Sequence, residues 1–166
     1  MSRAAKSAAP ASLAALALLV VLGLAGCTSS PGKEKPADLA AARAEVRSLF
    51  EKYVEALNKS DSTGVLAAYA QDAEVTMCGG GRLFRGREAI GKTEQSLLNP
   101  GQNTYAIDSL DVVPIEKAHA LALVVYKVDP ADQDIPTFQT TATYLLEKSG
   151  GKWQIVHAHV SPAQEE

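Results

Sequence analysis

The stretch Gly151-Lys152-Trp153-Gln154-Ile155-Val156-His157-Ala158-His159-Val160-Ser161 reads as a β-strand, Lys152 to Ser161, led by a turn at Lys148 to Gly151. Side chains on a strand alternate between its two faces. One face therefore carries Trp153, Ile155, His157, His159 and Ser161, and the other carries Gln154, Val156, Ala158 and Val160. A single inserted residue would exchange these faces. Working back from this strand, Thr137 to Glu147 and Ala118 to Val128 keep the same period of two, separated by a polar loop at Asp129 to Pro136. Thr104 to Ile115 is a further long strand with a bend expected near Pro114. Successive strands joined by short turns predict an antiparallel meander.

The first half of the chain has a different period. Between Leu39 and Asn58, Val46, Leu49, Phe50, Tyr53, Val54 and Leu57 recur every three or four residues and form one apolar helical stripe. Arg43, Glu45, Arg47, Glu51, Lys52 and Glu55 occupy the remaining faces. Lys59-Ser60-Asp61-Ser62 breaks the stripe and supplies an N-cap for a shorter helix carrying Val65, Leu66 and Tyr69. A short strand at Glu74 to Cys78, a turn at Gly79-Gly80-Gly81 and a return through Arg82 to Gly86 follow. Arg87 to Leu98 reads as a third helix with Ile90, Leu97 and Leu98 inward, stopped by Asn99-Pro100-Gly101. Helices first and strands after predict an α+β domain, with the helices on one face of the sheet.

The order helix, helix, strand, helix, long antiparallel strands resembles the nuclear transport factor 2-like superfamily and its SnoaL-like members. Glu55-Ala56-Leu57-Asn58 with Asp61, then Tyr69-Ala70-Gln71-Asp72-Ala73, is similar to that family's first two helices and the approach to its first strand. Phe84-Arg85-Gly86-Arg87-Glu88-Ala89-Ile90 is similar to the start of its third helix. Residues 151–161 are similar to the last strand of the association domain of calcium/calmodulin-dependent kinase II. The resemblance covers essentially all of 40–161. It implies a cone: a strongly curved antiparallel sheet wrapped around a long N-terminal helix with two shorter helices, over a domain of residues 38–163. It also implies a small-molecule cavity inside the cone and a homodimer through the outer face of the sheet.

On that resemblance Val156, Ala158 and Val160 line the cavity, while Trp153, His157 and His159 look outward to an interface. The association domain places one arginine directly after its His-x-His and another on the preceding strand. Here those positions hold Val160 and Tyr144, so both cationic anchors are missing. Tyr53, Tyr69, Asp72, Tyr126 and Tyr144 remain as polar candidates near the mouth of the cone. Asp72 equally suits a cap at the start of the strand, and the tyrosines equally suit the core. Isomerases of this fold pair a tyrosine with buried carboxylates, and hydrolases use Asp-Arg-Asp sets. Residues 118–128 and 137–147 contain no Asp, and only Glu147 at an end, so no catalytic residue is assigned. The expected function is a small-ligand-binding or assembly module for an apolar or amphipathic molecule. The alternative is an isomerase or hydrolase of a hydrophobic small molecule.

Other motifs carry less. His157 and His159 share a side, but zinc takes three or four ligands and His119 is the only other histidine. The spacing of Asp129, Asp132 and Asp134 lacks the glycine and terminal Glu of a calcium loop. Gly79-Gly80-Gly81 is not followed by the Lys-Ser/Thr of a phosphate loop. Cys78 reads as a small buried hydrophobe. No metal and no cofactor is expected.

At the N-terminus, Arg3 and Lys6 precede an apolar run from Leu13 to Leu24. That run is about 12 residues, whereas a spanning helix needs about 20. It reads as a signal peptide, residues 1–26. Leu24-Ala25-Gly26-Cys27 resembles the lipobox of bacterial lipoproteins, which implies cleavage before Cys27 and a diacylglyceryl group on its thiol. Residues 27–37, rich in Ser, Pro, Gly and Lys, read as the lipidated Cys and a flexible tether. The expected location is the extracytoplasmic face of a cell-envelope membrane, held by the lipid alone. Without Arg3 and Lys6 the remaining chain holds 14 basic and 19 acidic residues, a balance that suggests no nucleic-acid partner. With Cys27 lipidated, Cys78 is the only thiol left and no intramolecular disulfide forms. Mass spectrometry of the protein from its own host should therefore find Cys27 as the N-terminal residue, carrying a diacylglyceryl adduct. An unmodified Cys27, or a chain still bearing residues 1–26, would refute the lipobox reading.

Overall fold

The structure, a computed structural model, describes residues 36–72, 74–98 and 101–161. The expectations for the signal segment, Cys27 and the tether up to residue 35 lie outside these residues. Helix α1 runs Pro36–Asn58 and α2 runs Ser62–Ala67. Strands β1 (Thr76–Gly79) and β2 (Arg82–Arg85) form a hairpin, and α3 spans Arg87–Leu97. The long strands β3 (Asn103–Glu116), β4 (His119–Pro130), β5 (Phe138–Ser149) and β6 (Lys152–Ser161) complete the α+β domain. Among the described residues no helix is long and apolar enough to cross a membrane.

The six strands form one open sheet in the order β2-β1-β6-β5-β4-β3. The β3 to β6 meander is antiparallel as expected. The expected antiparallel sheet carries one parallel pairing, between β1 and β6. The reason is topological. The chain leaves β1 through β2 and α3, crosses to the far edge, and walks back strand by strand. It reaches β1 again running in the same direction.

The first helix ends, and the second begins, for local reasons. Ser60 adopts the left-handed conformation, φ 52°. Its N–H donates to Leu57 O, and the Asp61 N–H donates to Ala56 O. This pair of bonds is the Schellman arrangement that satisfies the last carbonyls of a helix. Asp61 then caps α2 by accepting from the Gly64 N–H at 3.0 Å. Gly64 is required by space, since a Cβ there would lie 2.6 Å from Asp61 Oδ2 and 2.9 Å from Ala56 Cβ. Asn58 clamps the end of α1 to β3. Its Nδ2 donates to Tyr105 O at 2.9 Å, and its Oδ1 accepts from Tyr105 N at 2.8 Å.

The core lies between α1 and the inner face of the sheet. Val46, Phe50, Tyr53 and Val54 of α1 meet Tyr144 and Leu146 of β5, Ala122 and Val124 of β4, and Ile155 and Ala158 of β6 in one buried cluster. Two breaks in register decide which side chains reach it. In β3 the register shifts between Ile107 and Ser109. Tyr105 and Ile107 pack inward before the shift, and Leu110 and Val112 after it. In β6 the partner of Leu146 is Ile155 while that of Leu145 is His157, so Val156 is an extra, bulged residue. Trp153 and Ile155 face inward before the bulge, and Ala158 after it.

The bulge corrects the expectation for Trp153. This ring is buried under α1, and its Nε1 donates to Glu45 Oε2 at 2.8 Å. Lys148 also bonds Glu45 and stands 5.7 Å over the indole. His157 and His159 do stand on the outer face, with Cys78 beside them. His157 Nδ1 shares a hydrogen bond of 2.7 Å with Thr76 Oγ1, and Cys78 lies half-buried in register with His159. The same outer face exposes Leu83, Val113, Ile115 and Leu123.

Candidate functional site

Between α1, α3 and the inner face of the sheet lies a cavity of about 370 Å³, inside the range of small-molecule sites. Its wall is mostly apolar or aromatic: Tyr53 and Leu57 from α1, Met77 and Gly79 from β1, Phe84 from β2, Tyr105 from β3, Tyr126 from β4, Tyr144 from β5 and Val160 from β6. Thr93 and Glu94 of α3 and Thr140 of β5 add polar atoms. A depression of about 520 Å³ lies between α1, α2 and the start of β6, around Glu45, Ser48, Lys52 and Trp153. Its exposed acid is already paired with Lys148 and Trp153. The apolar-walled cavity beside α3 is therefore the stronger candidate.

Glu94 organises this site. It is the one buried charged side chain among the described residues, at 3% exposure. A carboxyl so placed needs donors. Tyr69 Oη donates to Glu94 Oε1 at 2.9 Å, and Tyr53 Oη donates to the same oxygen at 3.1 Å. Opposite them, the hydroxyls of Tyr126 and Tyr144 share a hydrogen bond of 3.0 Å. The rings brace one another. Tyr53 stands edge-on to Tyr69 and Tyr144 at 6.4 Å each, and Phe50 lies 4.8 Å from Tyr144.

Burial raises the Glu94 pKa above its usual value of 4.5, against the opposing pull of the Tyr69 and Tyr53 hydrogen bonds. All four tyrosines are held well above the ordinary phenol value, first by burial. The Glu94 charge adds to this in each case. All four phenols stay neutral at physiological pH and act as hydrogen-bond donors or acceptors.

The structure brings Tyr53, Tyr69, Tyr126 and Tyr144 together, with Tyr69 standing behind Glu94 rather than on the cavity wall. Tyr69 lies past the end of α2, in a parallel bridge to Ile155. Asp72 does not join them. It is exposed, and its Oδ1 accepts from the Glu74 and Val75 N–H groups at 2.9 and 3.1 Å, a cap at the start of β1. Val160 is on the cavity wall. Ala158 is buried in the core, and Val156 is the bulged residue, partly buried beside it; neither is on that wall. Among the described residues no group of three or more His, Cys, Asp or Glu side chains is placed to hold a metal.

Sequence reasoning missed Glu94, because the search for acids followed the strands. A signal was present. Ile90, Glu94 and Leu98 recur at four-residue steps, and Ile90 and Leu98 are buried with it. An acid in the middle of an apolar helical stripe is the informative exception to burial rules.

A family model described as the SnoaL-like domain matches residues 46–165. The chain belongs to the SnoaL-like family. Solved structures agree on the fold. A nuclear transport factor 2-like protein of unknown function from Pseudomonas putida KT2440 is 25% identical, with a TM-score of 0.66 over 74% of this chain and 87% of its own. A putative calcium/calmodulin-dependent protein kinase II association domain from Xanthomonas campestris is 24% identical, with a TM-score of 0.62 over 74% and 87%. A putative scytalone dehydratase from Novosphingobium aromaticivorans DSM 12444 is 10% identical, with a TM-score of 0.67 over 79% and 89%. Among curated proteins none is significantly similar.

The position of Glu94 in this SnoaL-like domain makes stability depend on pH with a definite sign. A folded-state pKa raised above the unfolded value means that the folded chain holds the proton more tightly. The contribution is fully present below about pH 4.5 and is lost as pH rises through the folded pKa. Glu94→Gln keeps an acceptor for Tyr53 and Tyr69 but removes the ionisation. Its melting temperature, relative to the wild type at each pH, should rise by a few degrees between pH 4 and pH 8. A difference that stays flat across that interval would show that Glu94 is not desolvated as described.

Proposed function

We propose that this protein is an exported, lipid-anchored SnoaL-like domain that binds a small, largely apolar or amphipathic molecule in the cavity beside Glu94. The observation that carries this reading is an apolar and aromatic wall around one buried polar pole, Glu94 with its tyrosines. Such a pocket gains affinity from the wall and orientation from the pole. The Leu24-Ala25-Gly26-Cys27 motif supports lipid anchoring outside the cytoplasm.

A second reading has a specific observation behind it. A buried carboxyl of raised pKa beside phenols, in a cavity, suits proton transfer, and an isomerase or hydrolase of a hydrophobic molecule would use Glu94 as the base. The binding reading stands first because Glu94 Oε1 already accepts two phenolic protons. Among the described residues the cavity wall also carries no second acid.

Gly79 allows a test of the cavity. It lies in β1 without a positive φ, and a Cβ there would meet only Val160, at 3.8 Å or beyond. Neither backbone nor packing demands glycine, and a longer side chain would enter the cavity. Native mass spectrometry of the protein from its host should show a bound small molecule. Gly79→Leu should lose at least nine-tenths of it with the melting temperature nearly unchanged. The same compound on Glu94→Gln supports binding without turnover, and a chemically different one supports the enzyme.

We also propose a homodimer through the outer sheet face, where Val113 of β3 and Leu123 of the neighbouring β4 are exposed. Apolar side chains exposed on neighbouring strands suit an interaction surface. The Xanthomonas campestris structure named for an association domain supports self-assembly of this type. Sedimentation should give a dimer for the wild type, and Leu123→Arg should weaken it at least tenfold. An equally monomeric wild type would remove the proposal.

A further inference from the structure

The donor and acceptor balance of the cavity is lopsided. Two phenolic protons, those of Tyr53 and Tyr69, go to Glu94. One proton of the Tyr126 and Tyr144 pair is spent within the pair. Thr93 Oγ1 donates to Ala89 O, and Thr140 Oγ1 donates to Ser161 O. Among the side chains of the described wall residues this leaves a ligand only the Tyr105 proton and one proton of the tyrosine pair. Against these two donors stand a carboxyl group, several phenol oxygens and five aromatic rings, those of Tyr53, Phe84, Tyr105, Tyr126 and Tyr144.

The charge balance is lopsided in the same direction. Among the described residues no Lys, Arg or His is on the cavity wall, and Glu94 is its only acid. An anionic ligand would meet a carboxyl at low dielectric with no cation to offset it. A cation meets the reverse. Its charge compensates the buried carboxylate, and aromatic rings attract it through their quadrupoles, most strongly where water is excluded. One ring already shows this chemistry at its edge of the site, since the Arg82 guanidinium stands 5.5 Å over Phe84.

We infer that the ligand of this cavity is a small organic cation, an ammonium group carrying apolar substituents, held between the Glu94 carboxylate and the tyrosine rings. This inference rests on the ligand-cavity reading above and names the class of ligand. The raised Glu94 pKa adds a consequence, because a bound cation displaces the proton that burial favours. Cation binding should therefore strengthen as pH rises through the Glu94 pKa. The groups facing Glu94 are the neutral phenols of Tyr53, Tyr69, Tyr126 and Tyr144, and their pKa values keep them out of that range.

Three probes that share a phenyl ring test the inference on the purified full-length chain: phenyltrimethylammonium, its neutral isostere tert-butylbenzene, and the smaller, planar anion benzoate. Ligand-observed NMR should show the cation binding at least tenfold more tightly than the isostere, with benzoate weakest. In Glu94→Gln the advantage of the cation over the isostere should fall to threefold or less. Tyr105 supplies an independent check away from the deepest packing. Tyr105→Phe should keep most of the cation's advantage, and Tyr105→Leu should lose it. If tert-butylbenzene or benzoate binds as well as the cation, the cation inference is overturned while the ligand cavity stands. If none of the three binds, and Gly79→Leu changes nothing that co-purifies, the cavity reading falls and this inference with it.

Discussion

At Ile155 strand β6 has a neighbour on each side, and much of the inner wall depends on how. On one side β6 pairs with β5 along its length. On the other, Ile155 exchanges backbone bonds with the segment after α2: its N–H donates to Ala68 O, and its carbonyl accepts from Ala70 N. Two residues further on, β6 changes partner and runs parallel to β1 from His157. The extra residue at Val156 sits at this change of partner. It lets Trp153 and Ile155 face α1 and still turns Ala158 and Val160 inward beyond it. Without the bulge, one half of β6 would direct its polar side chains into the core.

The same junction positions the polar pole. The bridge to Ile155 holds Tyr69 against the sheet, where its hydroxyl reaches α3. Glu94 thus receives one hydroxyl from α1 and one from the chain after α2. Two elements distant in sequence converge on one oxygen. A buried carboxyl lacking either donor would carry a large desolvation cost. Fold and site are coupled through this oxygen.

Much of the architecture was legible. The stripe from Val46 to Leu57, the cap at Asp61 and the alternating strands each follow from local chemistry, and local chemistry acts over a few residues. Glu94 was not found, because an acid among inward positions is informative only once the neighbouring donors are known. Tyr53 and Tyr69 are 16 residues apart, and Glu94 is a further 25 along. Asp72 was a plausible acid by type, but its neighbours Glu74 and Val75 offered backbone N–H groups nearer than the cavity.

By itself, the amino-acid sequence determined the class α+β, the order of elements and a last strand with His157 and His159 on one side. These depend on periodicity and on capping, which operate between near neighbours. Only the tertiary structure decided that β1 lies parallel to β6, that Trp153 turns inward, and that four tyrosines surround Glu94. Those outcomes depend on bulges and on pairings between distant segments. A bulge changes the facing of every residue beyond it, and the residue that bulges is chosen by the partners on either side.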